Sequence, residues 1–284
     1  MKIPKYWARG SQTAQGLDGR VVTFTCWQSS EVSVDEARQL ANDRAKTLAG
    51  KLLNRQKLDR YPYGERPLRE EIVEAIKDGR GKDIALVTRN AYGALVLNAV
   101  NAMFIDIDFA KEGPAPTGSA ISRLFGSKKA PSQEERAIEE IEQWTRSRPD
   151  LGLRVYRTFG GLRCLVTNEV FDPTRDDALA ILRNLKSDPL YIRLCRSQEC
   201  FRARLTPKPW RCDLGIPPAR YPWEDVQQER VYRQWETEYT RVAAQYAVCN
   251  LVKQIGPADV HPEVEPILSM HDRVSCSDRS LRLA

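Results

Sequence analysis

Two aspartates, Asp106 and Asp108, are the residues of this chain best suited to chemistry, because they end a short apolar segment, Phe104 to Phe109. Alternate residues of a strand share a face, so both carboxylates would point the same way, about 7 Å apart by the strand rise, with Ile105 and Ile107 turned into the core. Carboxylates so placed repel each other, and Mg²⁺ or Mn²⁺ would relieve that repulsion while leaving room for phosphate oxygens. The plainer interpretation is a strand whose polar face meets water.

Basic residues are concentrated further along the chain. Between Arg193 and Arg211 there are six basic residues against one acid, which accounts for most of the net charge of +6. If residues 201 to 205 are extended, Arg202 and Arg204 share one face and can make bidentate phosphate contacts. The segment therefore predicts a polyanionic partner, either a nucleotide triphosphate or a nucleic-acid backbone. A solvated basic face paired with acids elsewhere is the alternative.

A pair of glycines, Gly160 and Gly161, separates two strand-like segments, Leu153 to Thr158 and Leu162 to Thr167. Paired glycines let the backbone approach a ligand closely or form a tight turn, and closure of a hairpin is sufficient to explain them. Arg163, just inside the returning strand, could reach phosphate oxygens.

Taken in order, these motifs resemble the palm of the archaeo-eukaryotic primases, especially the PrimPol-like branch. That family has a D-x-D or D-x-E strand, a helix, a hairpin that ends in S-x-H, and a third acid ahead of an arginine-rich strand. The likeness covers roughly residues 84 to 211, and the order of the motifs carries more weight than any single match. The matching positions are Asp106 and Asp108, Gly161-Leu162-Arg163 where S-x-H belongs, Asp188 as the third acid, and Phe201-Arg202-Ala203-Arg204-Leu205 followed by Lys208.

The resemblance implies an α/β (α+β) protein with an RRM-like palm and a nucleotidyltransferase activity of the primase and polymerase type. Such an enzyme uses Mg²⁺ or Mn²⁺ with nucleoside triphosphates and acts on DNA or RNA. Asp106, Asp108 and Asp188 would be the catalytic metal ligands, with Asp272 as a rival third acid. The residues implied to bind the nucleotide are Arg163, Arg202, Arg204 and Lys208. Two other functions stay open, a nucleic-acid-binding protein without activity and a metal-dependent nuclease.

The predicted elements suggest three regions: an N-terminal αβ extension at 1–83, the palm at 84–215 and a C-terminal helical region at 216–284. Ser33 and Ser132 each precede a glutamate by three residues, a capping-box pattern that predicts the start of a helix. The expected strands are 21–27, 84–88, 94–98, 102–109, 153–158, 162–167 and 201–205; the expected helices are 68–77, 222–255 and those that begin at 33, at 132 and after 173; an exposed loop is expected at 111–131 and a weak strand at 269–284.

Composition limits the class of protein. With 42% hydrophobic residues the chain can bury a core, and neither a membrane-spanning apolar stretch nor an apolar N-terminal run is present in the sequence. We therefore expect a cytoplasmic protein. Of the seven cysteines, Cys195, Cys200 and Cys212 form the one cluster. Their C-x4-C-x11-C spacing without a nearby histidine favours structural thiols over a zinc site.

Overall fold

The computed structural model of the chain describes residues 1–15, 19–54, 56, 67–110, 131–276 and 281–284. Within those ranges the protein has a mixed α+β fold with several antiparallel sheets and six helices, none long and apolar enough to cross a membrane. The strands are β1 (Tyr6–Gln15), β2 (Val21–Ser30), β3 (Glu71–Lys77), β4 (Asp83–Arg89), β5 (Leu95–Ala99), β6 (Phe104–Asp108), β7 (Leu153–Thr158), β8 (Gly161–Val166), β9 (Phe201–Arg204), β10 (Tyr246–Ala247), β11 (Cys249–Ile255) and β12 (Arg282–Leu283). The helices are α1 (Val34–Leu53), α2 (Gln133–Thr145), α3 (Asp176–Asn184), α4 (Pro189–Gln198), α5 (Val226–Ala243) and α6 (Glu265–Ser275).

The first four-stranded sheet has the strand order β11-β7-β8-β6, and all its neighbouring strands are antiparallel. β7 and β8 form the hairpin that the paired glycines predict. At the edge of the sheet, β6 pairs with β8 so that Asp106 lies opposite Arg163 and Asp108 opposite Gly161. Directly paired residues share a face, so both aspartates and Arg163 lie on one face of the sheet. Ile105 and Ile107, which alternate with the aspartates, pack into the core on the other face.

The second sheet has the strand order β3-β4-β5-β9 and is also antiparallel. The apolar strands expected at 84–88 and 94–98 are present as β4 and β5, which pair with each other, and β9 confirms the extended backbone expected from 201 as far as Arg204. The helix predicted at 68–77 is wrong, because Glu71–Lys77 form β3 against β4. Its β-branched residues Ile72, Val73 and Ile76 suit a strand, and pairing with β4 satisfies its backbone groups.

The C-terminal region differs most from the prediction. The helix expected at 222–255 ends at Ala243 as α5, and residues 249–255 form β11, which pairs with β7. The strand signal expected from 269 is wrong as far as Ser275, because these residues belong to α6. Apolar residues in steps of three and four continue from α5 into β11, and over so short a stretch this pattern fits either structure. Strand pairing crosses both expected region boundaries. β3 pairs with β4 across the boundary at 83, and β11 pairs with β7 across the boundary at 215.

Two helix starts follow the predicted capping pattern. At α2 the Ser132 hydroxyl accepts from the backbone N–H of Glu135 at 3.1 Å, and the Glu135 carboxylate accepts from the N–H of Ser132 at 2.7 Å. At α1 the Ser33 hydroxyl accepts from the N–H of Glu36 at 3.1 Å, whereas the Glu36 carboxylate turns to the hydroxyl of Ser30 at the end of β2. Residues 111–130 of the predicted loop before α2 lie outside the described ranges.

The facing edges of the two sheets, β6 and β9, are joined by Tyr191 on α4. Its buried hydroxyl donates to the carbonyl of Phe104 in β6 at 2.8 Å and accepts from the backbone N–H of Arg202 in β9 at 3.2 Å. Arg163 crosses between the sheets nearby, where its Nη1 donates to the carbonyl of Arg204 at 2.9 Å. We call this junction of β6 and β9 the seam. It brings the acidic strand and the basic strand together.

Candidate active site

Three carboxylates lie at the seam. Asp106 is half-buried on β6, and Asp108 is exposed at the end of the same strand. Asp188 is brought beside them because its backbone N–H donates to the carbonyl of Asp106 at 3.0 Å, and the hydroxyl of Ser187 donates to the same oxygen at 2.9 Å. These two bonds occupy the free edge of β6, so the start of α4 is fixed next to the acids.

Asp188 also has a local structural role as the N-cap of α4. Its carboxylate accepts from the backbone N–H of Leu190 at 3.2 Å and of Tyr191 at 3.1 Å, which satisfies two donors of the first turn. Among the described residues no three His, Cys, Asp or Glu side chains are already arranged to hold a metal ion. The three acids are thus neighbours, but they do not form a ligand set in the described part of the chain.

The acids interact electrostatically. Burial raises the pKa of Asp108 above its ordinary value, and the charges of Asp106 and Asp188 raise it further, while Lys208 and Arg211 act in the opposite direction. A carboxylate whose ionisation is opposed by two like charges gains from a bound cation. Hard oxygen donors are the ligands that Mg²⁺ and Mn²⁺ prefer, so the residues present suit such an ion.

We expect Asp108→Asn to raise the thermal stability of the metal-free protein. A raised pKa in the folded state means that the ionised carboxylate opposes folding, and this penalty fades as pH falls through the raised pKa toward the ordinary value. The side chain is exposed, so the gain at pH 7 is small, about 0.5 kcal/mol after solvent screening. Thermal denaturation in EDTA at pH 7 and at pH 4 measures it.

The same experiment has a second arm. Added Mn²⁺ should raise the melting temperature of the wild-type protein and leave Asp108→Asn nearly unchanged, because the variant has lost a charged ligand. Equal stabilisation of both proteins by Mn²⁺ would contradict a role for Asp108 in holding the ion.

Basic side chains from both sheets surround the acids. Asp106 favours the charged forms of Arg204 and Lys208, and Asp108 favours those of Lys208 and Arg211. Burial lowers the pKa of Arg204 to about 10, and the charge of Arg163 lowers it further. Within the described ranges, no acid forms an ion pair with any of these four side chains. They therefore form a cationic surface that has no acid partner in the described part of the chain.

Arg163 is the most buried member of this surface, with 4% of its area exposed. Its Nη1 lies 3.3 Å from Nε2 of His271, and its Nε is buried without a hydrogen-bond partner. Burial lowers the pKa of His271 to about 4, so the ring is neutral at pH 7. With its Nδ1–H donated to Asp272 at 2.9 Å, the ring leaves Nε2 free to accept from Arg163.

Asp272, the rival third acid, is committed to this supporting network. It accepts from the hydroxyl of Tyr156 at 2.8 Å and pairs with Arg154 at 3.0 Å. Although burial raises it, the hydrogen bonds from His271 and Tyr156 hold the pKa of Asp272 below its ordinary value. Asp272 therefore orients His271 behind Arg163, and of the two candidates Asp188 is the acid beside Asp106.

Arg202 turns away from the other basic residues. Its Nη2 donates to both carboxylate oxygens of Glu70 at 2.9 Å, and its Nη1 donates to Gln198 at 3.0 Å. Glu70 is itself 6% exposed, so this is a buried ion pair at the start of the second sheet. Arg202 is therefore engaged by Glu70 and Gln198 and is not among the basic residues near the acids, whereas Arg211 is. Arg211 is not among the binding residues that the motifs predict, although its position in the basic segment is a signal that could have identified it.

Matched substitutions of the two β9 arginines should therefore give opposite results. Arg204→Gln removes a cation without an acid partner, so we expect affinity for inorganic triphosphate to fall about tenfold with stability retained. Arg202→Gln leaves Glu70 buried and unpaired, so we expect a loss of about 3 kcal/mol in the free energy of unfolding. Calorimetric titration and urea denaturation of both variants test this. If Arg202→Gln weakened triphosphate binding in a stable protein, our placement of Arg202 would be wrong.

The clustered cysteines are part of the core rather than of this surface. Cys195, Cys200 and Cys212 are buried free thiols. Burial raises the pKa of Cys195 to about 12 and that of Cys200 to about 11, so both are protonated at neutral pH.

Comparison with known proteins gives no relative. The chain matches no protein-family model, no curated protein and no solved structure. The function is therefore argued from the geometry of the seam.

Proposed function

We propose that this protein is a divergent nucleotidyltransferase of the primase and polymerase type, with an RRM-like palm whose active site is the seam. The observation that carries the proposal is the pair of buried guanidiniums, Arg163 and Arg204, which form no ion pair with any acid of the described residues and lie beside three neighbouring carboxylates. An isolated buried cation is costly, and a phosphate chain with its divalent ion would satisfy both sets of charges. A purely structural cluster would more simply pair the acids with the arginines.

The reaction in this proposal is an in-line displacement. A hydroxyl oxygen of a DNA or RNA end attacks the α-phosphorus of a nucleoside triphosphate and loses its proton to water, and pyrophosphate leaves with the electrons of the broken P–O bond. A bound Mg²⁺ or Mn²⁺ would lower the pKa of the attacking hydroxyl and neutralise charge on the phosphates. Asp106, Asp108 and Asp188 would supply the oxygen ligands for it.

The basic side chains have the complementary task. Arg163, held by His271, and Arg204 would bind the phosphate oxygens from the buried side, and Lys208 and Arg211 from the exposed side. Because the charges of Arg163 and Arg204 are already desolvated and oriented, these two side chains would stabilise the departing pyrophosphate without rearranging. This arrangement gives the Arg163 position a triphosphate-binding role although the resembling family has a histidine there.

An assay with a labelled primer–template DNA tests the proposal. The protein is incubated with Mn²⁺ or Mg²⁺, with deoxynucleotides, with ribonucleotides, or with neither. Elongation that needs both metal and nucleotide supports the proposal. Shortened products without nucleotide would instead indicate a nuclease, and a shifted but unchanged substrate would indicate a binding protein without activity.

A further inference from the structure

Two exposed aromatic rings flank the seam. Trp210, in a short 3-10 helix at Pro209–Arg211, is 52% exposed, and Phe159, at the tip of the β7–β8 hairpin, is 48% exposed. In the sequence, Trp210 stands between Lys208 and Arg211, and Phe159 precedes the two glycines. Large apolar side chains at the edge of a charged site are costly to leave in water without a ligand.

A basic side chain lies over each ring. The guanidinium of Arg211 lies 4.1 Å from the ring centroid of Phe159, and Nζ of Lys208 lies 5.7 Å from that of Trp210. The backbone N–H of Phe109, next to Asp108, donates to the carbonyl of Gly160 at the hairpin tip at 2.9 Å. Trp210 is held from behind by Tyr92, whose ring packs edge-on at 5.2 Å. The two faces are therefore placed beside the carboxylates and supported, rather than scattered over the surface.

Alternating aromatic faces and cations are the chemistry that recognises unpaired nucleobases. A base stacks on the ring while the cation contacts the adjacent phosphate, and this contact needs no particular sequence. Paired bases in a duplex present no free face to such rings. A peptide ligand would be expected to need an apolar groove or an open sheet edge at this place, and the seam offers charged groups instead.

We propose that Trp210 and Phe159 form a stacking surface for unpaired nucleobases at the mouth of the seam. Because unpaired nucleobases are a ligand class for the same site, this proposal rests on the proposed function. The base can come from a single strand or from the incoming nucleotide, since the two present the same ring chemistry. The experiment below separates these sources.

The test measures binding of fluorescein-labelled oligo(dT) by anisotropy and of dTTP by calorimetry, the latter with Ca²⁺ to prevent turnover. Trp210→Leu and Phe159→Leu keep an apolar side chain and remove the π face, whereas Trp210→Phe and Phe159→Tyr keep a ring. We expect each leucine variant to lose about tenfold in affinity and each ring-keeping variant to stay within about threefold of wild type. Val32→Ala, at an exposed position after β2, is the control for loss of apolar surface.

The outcomes are distinct. Weaker oligo(dT) binding with unchanged dTTP binding supports a strand as the ligand, and weaker dTTP binding supports the base of the nucleotide. Equal affinities for wild-type and leucine variants, or a duplex bound as tightly as oligo(dT), would overturn the stacking surface. No binding of either ligand to the wild-type protein would also overturn it.

These results are separate from those for the proposed function. Ring-dependent binding in a protein that never elongates a primer would remove the catalytic proposal and keep the stacking surface. Metal-dependent elongation with full binding by the leucine variants would remove the stacking surface and keep the catalytic proposal.

Discussion

Replacing Asp106 and Asp108 together by asparagine should reduce metal-dependent primer elongation by at least about 10³-fold while the protein stays folded. Loss of two charged ligands removes the affinity for the divalent ion and its contribution to the displacement, and a thousandfold loss corresponds to about 4 kcal/mol of transition-state stabilisation. Asparagine keeps the size and shape of each side chain, so we expect the fold to be retained. Elongation rates at saturating Mn²⁺, with circular dichroism to verify folding, measure the effect.

The matched control removes two acids of the same type elsewhere. Asp176 and Asp177 lie in the first turn of α3, both exposed, and their double replacement by asparagine changes net charge equally. We expect that control to elongate primers at nearly the wild-type rate, with a small loss of stability from the helix terminus. Full activity in the Asp106 and Asp108 double variant would remove the seam as the active site, whatever the control shows.

Gly161→Ala is expected to be the most destabilising small substitution in the site, with a loss of about 4 kcal/mol or more in the free energy of unfolding. Gly161 lies opposite Asp108, and a Cβ at this position would overlap the carbonyl oxygen of Ile107 and approach the Cα of Asp108 to 3.0 Å. Both obstacles are backbone of the paired strand, so relief requires β6 and β8 to separate at the aspartates. Urea denaturation of the purified variant gives the value.

Its neighbour provides the control. A Cβ added to Gly160 meets nothing within 4 Å, so Gly160→Ala should change stability by less than about 1 kcal/mol. Similar losses for both variants would mean that the turn needs glycine for backbone freedom, and the close approach of β8 to β6 would not be the cause.

Much of the site could be predicted because its signals are local. Strand alternation places Asp106 and Asp108 on one face, and the glycine pair predicts the hairpin that carries Arg163 across from them. What could not be predicted depends on distant partners. Arg202 is held by Glu70, 132 positions away in the chain, and nothing in the pattern around β9 distinguishes it from Arg204.

The same limit applies to the fold. The apolar runs of β4, β5 and β6 look alike in sequence, yet β6 belongs to the other sheet, where it pairs with β8. Such pairings depend on the tertiary arrangement, which single-segment propensity does not include. The supporting position of His271 was likewise hidden, because its contact with Arg163 spans 108 positions.

The hydroxyl of Tyr191 fixes how far apart the two sheet edges can lie. It links a carbonyl of one sheet edge to an N–H of the other in a dry environment. Parting the two edges would strand both main-chain groups, each at a cost of about 1 to 3 kcal/mol. In the proposed reaction the inner end of the seam would therefore stay closed, and reactants and products would pass on the side of the hairpin tip and Trp210.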